Sequence, residues 1–166
     1  MIPTTLRVRE LFNYLPETGE LIWKISQAPR AIVGSVAGYA RSDNRIFVCV
    51  DSKKYRAHRI VWLWHGRQLP QRLDHINRNP LDNRIENLRV CTNAENGWNA
   101  KKSKANVSGI KGVNWNGLNK NWRVKLMVHG KYVEVGSFDD LELAELISVE
   151  ARVKYHGAFA TSINLT

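Results

Sequence analysis

The chain has 166 residues, with 25 Lys and Arg against 15 Asp and Glu, a formal net charge of +10. That length suits one domain or two small ones, and six Trp among 43% hydrophobic residues exclude a disordered chain. No apolar run reaches membrane-spanning length and the N-terminus lacks a signal peptide's apolar core, so a cytoplasmic protein without a membrane partner is expected, and its excess positive charge points to a polyanion.

The first region, to about residue 57, reads as short strands with turns. "GELIWK" follows the Thr18-Gly19 turn, "VGSVAGY" and "RIFVCV" flank the turn "ARSDN", and "KKYRAH" reads as a return strand. From His58 to His65, "HRIVWLWH" is apolar between charged ends and stops at Gly66, which predicts a short buried helix. The two cysteines, Cys49 and Cys91, lie far apart without a Cys-x-x-Cys, which argues against a thiolate zinc site.

The stretch "LDHINRNPLDNRIENLRVCTNAEN", Leu73 to Asn96, is dense in asparagine. "RLDHI" and "IENLRVCT" can pair as a hairpin around "NRNPLDNR", because Asn tolerates left-handed backbone and bonds its own main chain. "TNAE" is a capping box, with Thr92 capping a helix over about 93–102 and Glu95 reaching back. Asp74-His75 closes a strand, and Asn96 sits in the first turn of the helix. A carboxylate and a carboxamide oxygen together suit a hard divalent cation, with phosphate and water completing its shell, and an imidazole can take a proton from water. Those are the parts of metal-assisted phosphodiester cleavage. Adjacent strand residues face opposite sides, so the strand must bend or end there for both Asp74 and His75 to serve one site.

After a basic linker, "KKSKANVSG", the chain alternates. Val113 and Trp115 oppose Asn114 and Asn116; Trp122, Val124 and Leu126 oppose Arg123 and Lys125; Val133 and Val135 oppose Tyr132 and Glu134. Two turns make this three half-buried antiparallel strands. Asp139 or Asp140 can then cap a helix with Leu141, Ala144, Ile147, Ala151 and Tyr155 on one stripe, ended by Gly157. Residues 105–138 hold five Lys and Arg and one acid, and residues 139–166 hold two against five. The free sheet face is therefore the candidate DNA surface, with the helix behind it. Trp62, Trp64, Trp115 and Trp122 read as core, and Trp98 as core or base-stacking.

At Asp-His-Ile-Asn, then Asp-Asn-Arg-Ile-x-Asn-Leu-Arg, then Glu-Asn, the chain resembles the HNH endonucleases of phages and homing introns. The resemblance implies a ββα-metal core at about 72–102, His75 as general base, Asn87 as the loop residue that orients it, and Asp74 and Asn96 as ligands of Mg2+ or Mn2+. Asn96 stands where many members have His, an H-N-N variant similar to homing enzymes that nick one strand. From "GVNWNGLNKNWRVKLMVHGKYVEVGSF" to "KYHGAFA" the chain resembles the AP2/ERF DNA-binding domain, which implies Lys111, Asn114, Asn116, Arg123, Lys125 and Tyr132 as DNA contacts. Plant members carry several Arg on the first strand where this chain has Asn114 and Asn116, so weaker phosphate contact is expected there and the target sequence does not transfer.

The expectation is an α+β chain: an HNH nuclease domain over 1–104, with a small β-rich N-terminal part, then an AP2/ERF-like domain over 105–166. It would be a monomer acting on double-stranded DNA, in the host cytoplasm if phage-encoded. Two other readings are a DNA-binding regulator with an inactive nuclease core and a low-specificity phage nuclease that degrades host DNA.

Overall fold

A computed structural model describes residues 2–100, 102–103 and 105–160. The chain divides into two compact units, 1–90 and 91–166. Both mix helices with small antiparallel sheets.

In the first unit the expected short strands are preceded by a helix that the sequence pattern does not announce. Thr4 caps α1 (Thr5–Leu11), its Oγ1 accepting from Arg7 N at 3.2 Å, and Val8 and Leu11 turn inward one helical turn apart. Strands β1 (Phe12–Leu15) and β2 (Glu20–Trp23) form a hairpin. A second sheet takes the order β3 (Tyr39–Ala40), β4 (Ile46–Val50), β5 (Lys53–Arg56). The predicted buried helix is α2 (Ala57–Trp64), with Ile60 and Val61 fully covered. Together with Val8, Leu11, Phe12, Val48 and Val50 they make one core. Each such side chain contributes roughly 1.5–3 kcal/mol by leaving water. The expected hairpin follows as β6 (Leu73–His75) and β7 (Leu88–Val90), with Asp74 opposite Arg89 and His75 opposite Leu88.

The second unit opens with α3 (Asn93–Asn99), shorter than the span of about 93–102 expected for it. Both halves of its capping box form: Glu95 N donates to Thr92 Oγ1 at 3.2 Å and Thr92 N to Glu95 Oε2 at 2.7 Å. Strands β8 (Val113–Asn116), β9 (Asn121–Val128) and β10 (Lys131–Phe138) form one antiparallel sheet with β9 central, and a bulge interrupts β9–β10 pairing at Glu134 to Gly136. Helix α4 (Leu141–His156) covers one face, with Asp140 rather than Asp139 as its cap, accepting from Leu143 N at 2.7 Å.

Two expectations for this unit need correction. The buried stripe of α4 runs through Ala144, Ser148, Ala151, Arg152 and His156, while Tyr155 is exposed. A polar serine, arginine and histidine take inward positions that an apolar pattern does not mark. Trp115 is not core but 47% exposed, its ring edge-on to Trp122 at 4.8 Å near the open end of the sheet.

Candidate active site

The Asn-rich loop between β6 and β7 is a net of side-chain to main-chain bonds. Asn77 Oδ1 accepts from Asn79 N at 2.8 Å, and Asn79 Oδ1 from Leu81 N at 3.1 Å. Asn77 Nδ2 donates to Asp82 Oδ2 at 2.7 Å, and Asp82 pairs with Arg84 at 2.8 Å. Asn87 is buried and closes the net. Its Nδ2 donates to Asn77 Oδ1 at 3.0 Å and to Asp82 O at 2.8 Å, and its Oδ1 accepts from Asn77 N at 3.0 Å. Arg78, the residue after Asn77, takes a positive φ of 61°. An asparagine supplies a donor and an acceptor on a short stem, so the segment satisfies its own backbone without a ladder.

The first region props this loop from below. The hydroxyl of Tyr14 accepts from Ile85 N at 2.9 Å. Gly19, at φ +76°, lies so close that a Cβ there would come within 2.3 Å of Arg84 N. The β1–β2 turn is therefore a fitted seat for residues 83 and 84, which only glycine allows.

His75 ends β6 and points inward, 9% exposed. Its Nε2 lies 3.1 Å from Asn83 Oδ1, and its ring meets the edge of the buried His58 ring at a centroid distance of 5.1 Å. Burial holds the His75 imidazole below its ordinary value, against the opposing pull of Asn83 and Asp74. Burial pushes His58 further, down to about 3. Both rings are neutral at neutral pH. The tautomer that donates Nε2–H to Asn83 Oδ1 has its basic lone pair on Nδ1.

Asp74 takes the opposite side of the strand. Its Oδ2 accepts from Arg89 Nη2 at 3.2 Å, and both side chains are largely covered. The difficulty raised by the sequence thus stands in the register: Asp74 and His75 occupy successive positions of β6 and face opposite sides. Asn87, expected to orient the histidine, bonds the backbone that follows it; none of its hydrogen bonds goes to the imidazole. Asn83 and Arg89 lie beside these groups and escaped the sequence reading, while His58, at the start of the buried helix, serves packing against His75. Asn83 sits among look-alike asparagines, and no spacing separates it from them.

Asn96 is half-buried on α3, in the second unit. Among the described residues no group of three or more His, Cys, Asp or Glu comes together to hold a metal. The test of fit is therefore donor chemistry. A single carboxylate and a carboxamide are hard oxygen donors that suit Mg2+ or Mn2+ when phosphate and water fill the remaining positions.

On the sheet of the second unit, Asn114 and Arg123 pair across β8–β9, Asn116 pairs with Asn121, and Lys125 with Glu134 across β9–β10. Asn114, Asn116, Arg123, Lys125 and Tyr132 thus share the face opposite the buried Val113, Val124 and Leu126. Lys125 Nζ stands 4.2 Å from the centre of the Tyr132 ring, and Arg123 Nε is 3.4 Å from Glu134 Oε1, an ion pair without hydrogen-bond alignment. Lys111 is apart from this face: its ammonium donates to the final carbonyls of α3, Trp98 O at 2.6 Å, Gly97 O at 3.3 Å and Ala100 O.

A hairpin ending in Asp-His, an asparagine-braced loop and a box-capped helix in sequence define the class: residues 55–98 match the HNH endonuclease family. Protein 3.8 of Escherichia phage T7 is 37% identical over 110 residues, covering 65% of this chain and 90% of that protein. The chain belongs to the family of that phage protein and carries an HNH endonuclease domain. No solved structure matches it. Among the described residues no helix is long and apolar enough to cross a membrane.

Proposed function

We propose that the chain is a homing-type HNH endonuclease that nicks double-stranded DNA, with His75 as general base and one divalent metal, Mg2+ or Mn2+, held by Asp74 and Asn96. The observation that carries the reading is the setting of His75: buried at the end of β6, with Nε2 3.1 Å from Asn83 Oδ1. Nδ1 takes the proton of the attacking water as the water oxygen bonds to phosphorus and the bond to the leaving sugar oxygen breaks. When bound, the metal supplies positive charge where the phosphate and the leaving oxygen become more negative. Asn87 acts one step back, fixing the loop that follows His75. Arg89 holds the Asp74 carboxylate in place.

In this reading residues 1–104 are the nuclease domain and 105–166 an AP2/ERF-like targeting domain. The outward face bearing Asn114, Asn116, Arg123, Lys125 and Tyr132 contacts DNA, supplying register while base contacts specify. The protein works as a monomer in the host cytoplasm.

The test is plasmid cleavage with Mg2+ or Mn2+ by the parent and by His75→Ala, with cut positions read on both strands. A lost general base reduces the rate by about 10²–10⁴-fold and leaves DNA binding intact. Near-parental cleavage by His75→Ala removes His75 from its role, and paired cuts on both strands remove the nicking assignment.

A further inference from the structure

The helix that carries Asn96 is mounted on the C-terminal module. With seven residues, α3 is far below the roughly 12–15 at which an isolated helix becomes even marginal in water. Its N-terminal end is held locally by Thr92 and Glu95, but its C-terminal end is held by Lys111, whose ammonium meets three carbonyls of residues 97–100. A cation there satisfies orphan acceptors and opposes the helix dipole. Lys111 is fixed in turn, because Ser148 of α4, fully buried, donates its hydroxyl to Lys111 O at 2.7 Å. The next residue, Gly112, lies at φ +87°, and a Cβ there would come within 2.7 Å of Leu126 Cδ2. That close approach holds the Lys111 backbone against the sheet.

One side of α3 is also stacked. Trp98 lies parallel to the His156 ring at 4.5 Å and meets the His129 ring edge-on at 5.6 Å, and His156 Nε2 is fixed at 3.0 Å from Met127 O. Two residues apart on a helix is about 200° of rotation, so Asn96 projects from the side opposite Trp98. The stack and the lysine cap thus grip α3 and leave the Asn96 side out of the grip.

We infer that Lys111 is a positioning residue for Asn96, fixing α3 on the C-terminal module that carries it. The inference rests on the proposed role of Asn96 as a ligand. It gives Lys111 a different task from the DNA contact that the AP2/ERF resemblance implies.

The test uses the full chain. Mn2+ binding is followed by electron spin resonance in the His75→Ala background with double-stranded DNA, which stays uncut, and kcat and KM for DNA are measured in the otherwise native chain. Lys111→Met keeps the stem and removes the charge. The expected result is a rise of about 10- to 100-fold in half-saturating Mn2+ and a matching fall in kcat, with KM unchanged. Lys111→Arg restores both. A raised KM with unchanged kcat and Mn2+ binding overturns the inference and returns Lys111 to the DNA face. If Lys111→Met does not fold, Ser148→Ala takes its place, with the same direction and a smaller size expected, and parent-like Mn2+ binding and kcat in that variant overturn the inference. Asn96→Ala separates the two levels: if it binds Mn2+ like the parent, the ligand reading itself fails.

Discussion

The two halves of the HNH stretch are held in opposite ways. The loop from Asn77 to Asn87 braces itself, with every bond of its asparagine net made to a residue no more than ten positions away. Helix α3, a few residues on, takes its C-terminal cap from Lys111 and its stacking partners from His129 and His156. The asparagine net is local, and Tyr14 and Gly19 add a seat under residues 83–85 from outside it. A short helix cannot be stable by propensity and needs a scaffold, so the same motif contains one part that is local and one that is borrowed.

The largest expected effect comes from removing that scaffold. Residues 1–104 alone keep Asp74, His75 and the whole loop but lose Lys111, His129 and His156, which hold α3. Cleavage should fall by about 10²-fold or more, since a misplacement of about 1 Å already costs that much. Undiminished cutting by the fragment would show that α3 needs no borrowed support and would dissolve the contrast.

Next comes Trp98→Ala. Removing a buried indole costs about 3–5 kcal/mol, and the loss should fall on the second unit. Urea unfolding followed by near-ultraviolet circular dichroism reads it, and a midpoint close to the parent's would mean that the His156 stack contributes little.

On the other side of the comparison, Asn87→Ala removes three hydrogen bonds from a buried position and should cost about 2–3 kcal/mol. Asn79→Ala removes one exposed bond and should cost less than about 1 kcal/mol. Equal losses in thermal melts would mean that the net is not centred on Asn87.

A further effect is a pH dependence. His58 and His75 are both held below their ordinary value by burial, His58 down to about 3. The unfolded chain therefore takes up protons first as pH falls below about 6.5, and stability declines from there toward the folded value. From pH 7 to pH 5 the first unit should lose roughly 1–2 kcal/mol, on the scale of 1.36 kcal/mol per pKa unit. Replacing His58 with Phe should flatten that slope in urea midpoints, while the slope of the second unit, where burial lowers His156, should stay.

Local patterns announced the hairpin, the capping box, the buried helix α2 and the alternation of β8 to β10. These rest on periodicity and on side chains that bond within a few residues, so the order of residues carries them. Asp74, His75, Asn87 and Asn96 stood out by motif, and strand alternation marked Asn114, Asn116, Arg123, Lys125 and Tyr132 as the outward positions of the sheet. Order alone did not separate Asn83 from its neighbours as the partner of His75, because only the seat made by Tyr14 and Gly19 brings that one amide to the ring. Nor did it show that Ser148, Arg152 and His156 face inward on α4 or that Lys111 caps another helix. Those assignments depend on which distant groups meet in space. A polar side chain enters a core, and a lysine leaves solvent, only where the fold sets a partner opposite it.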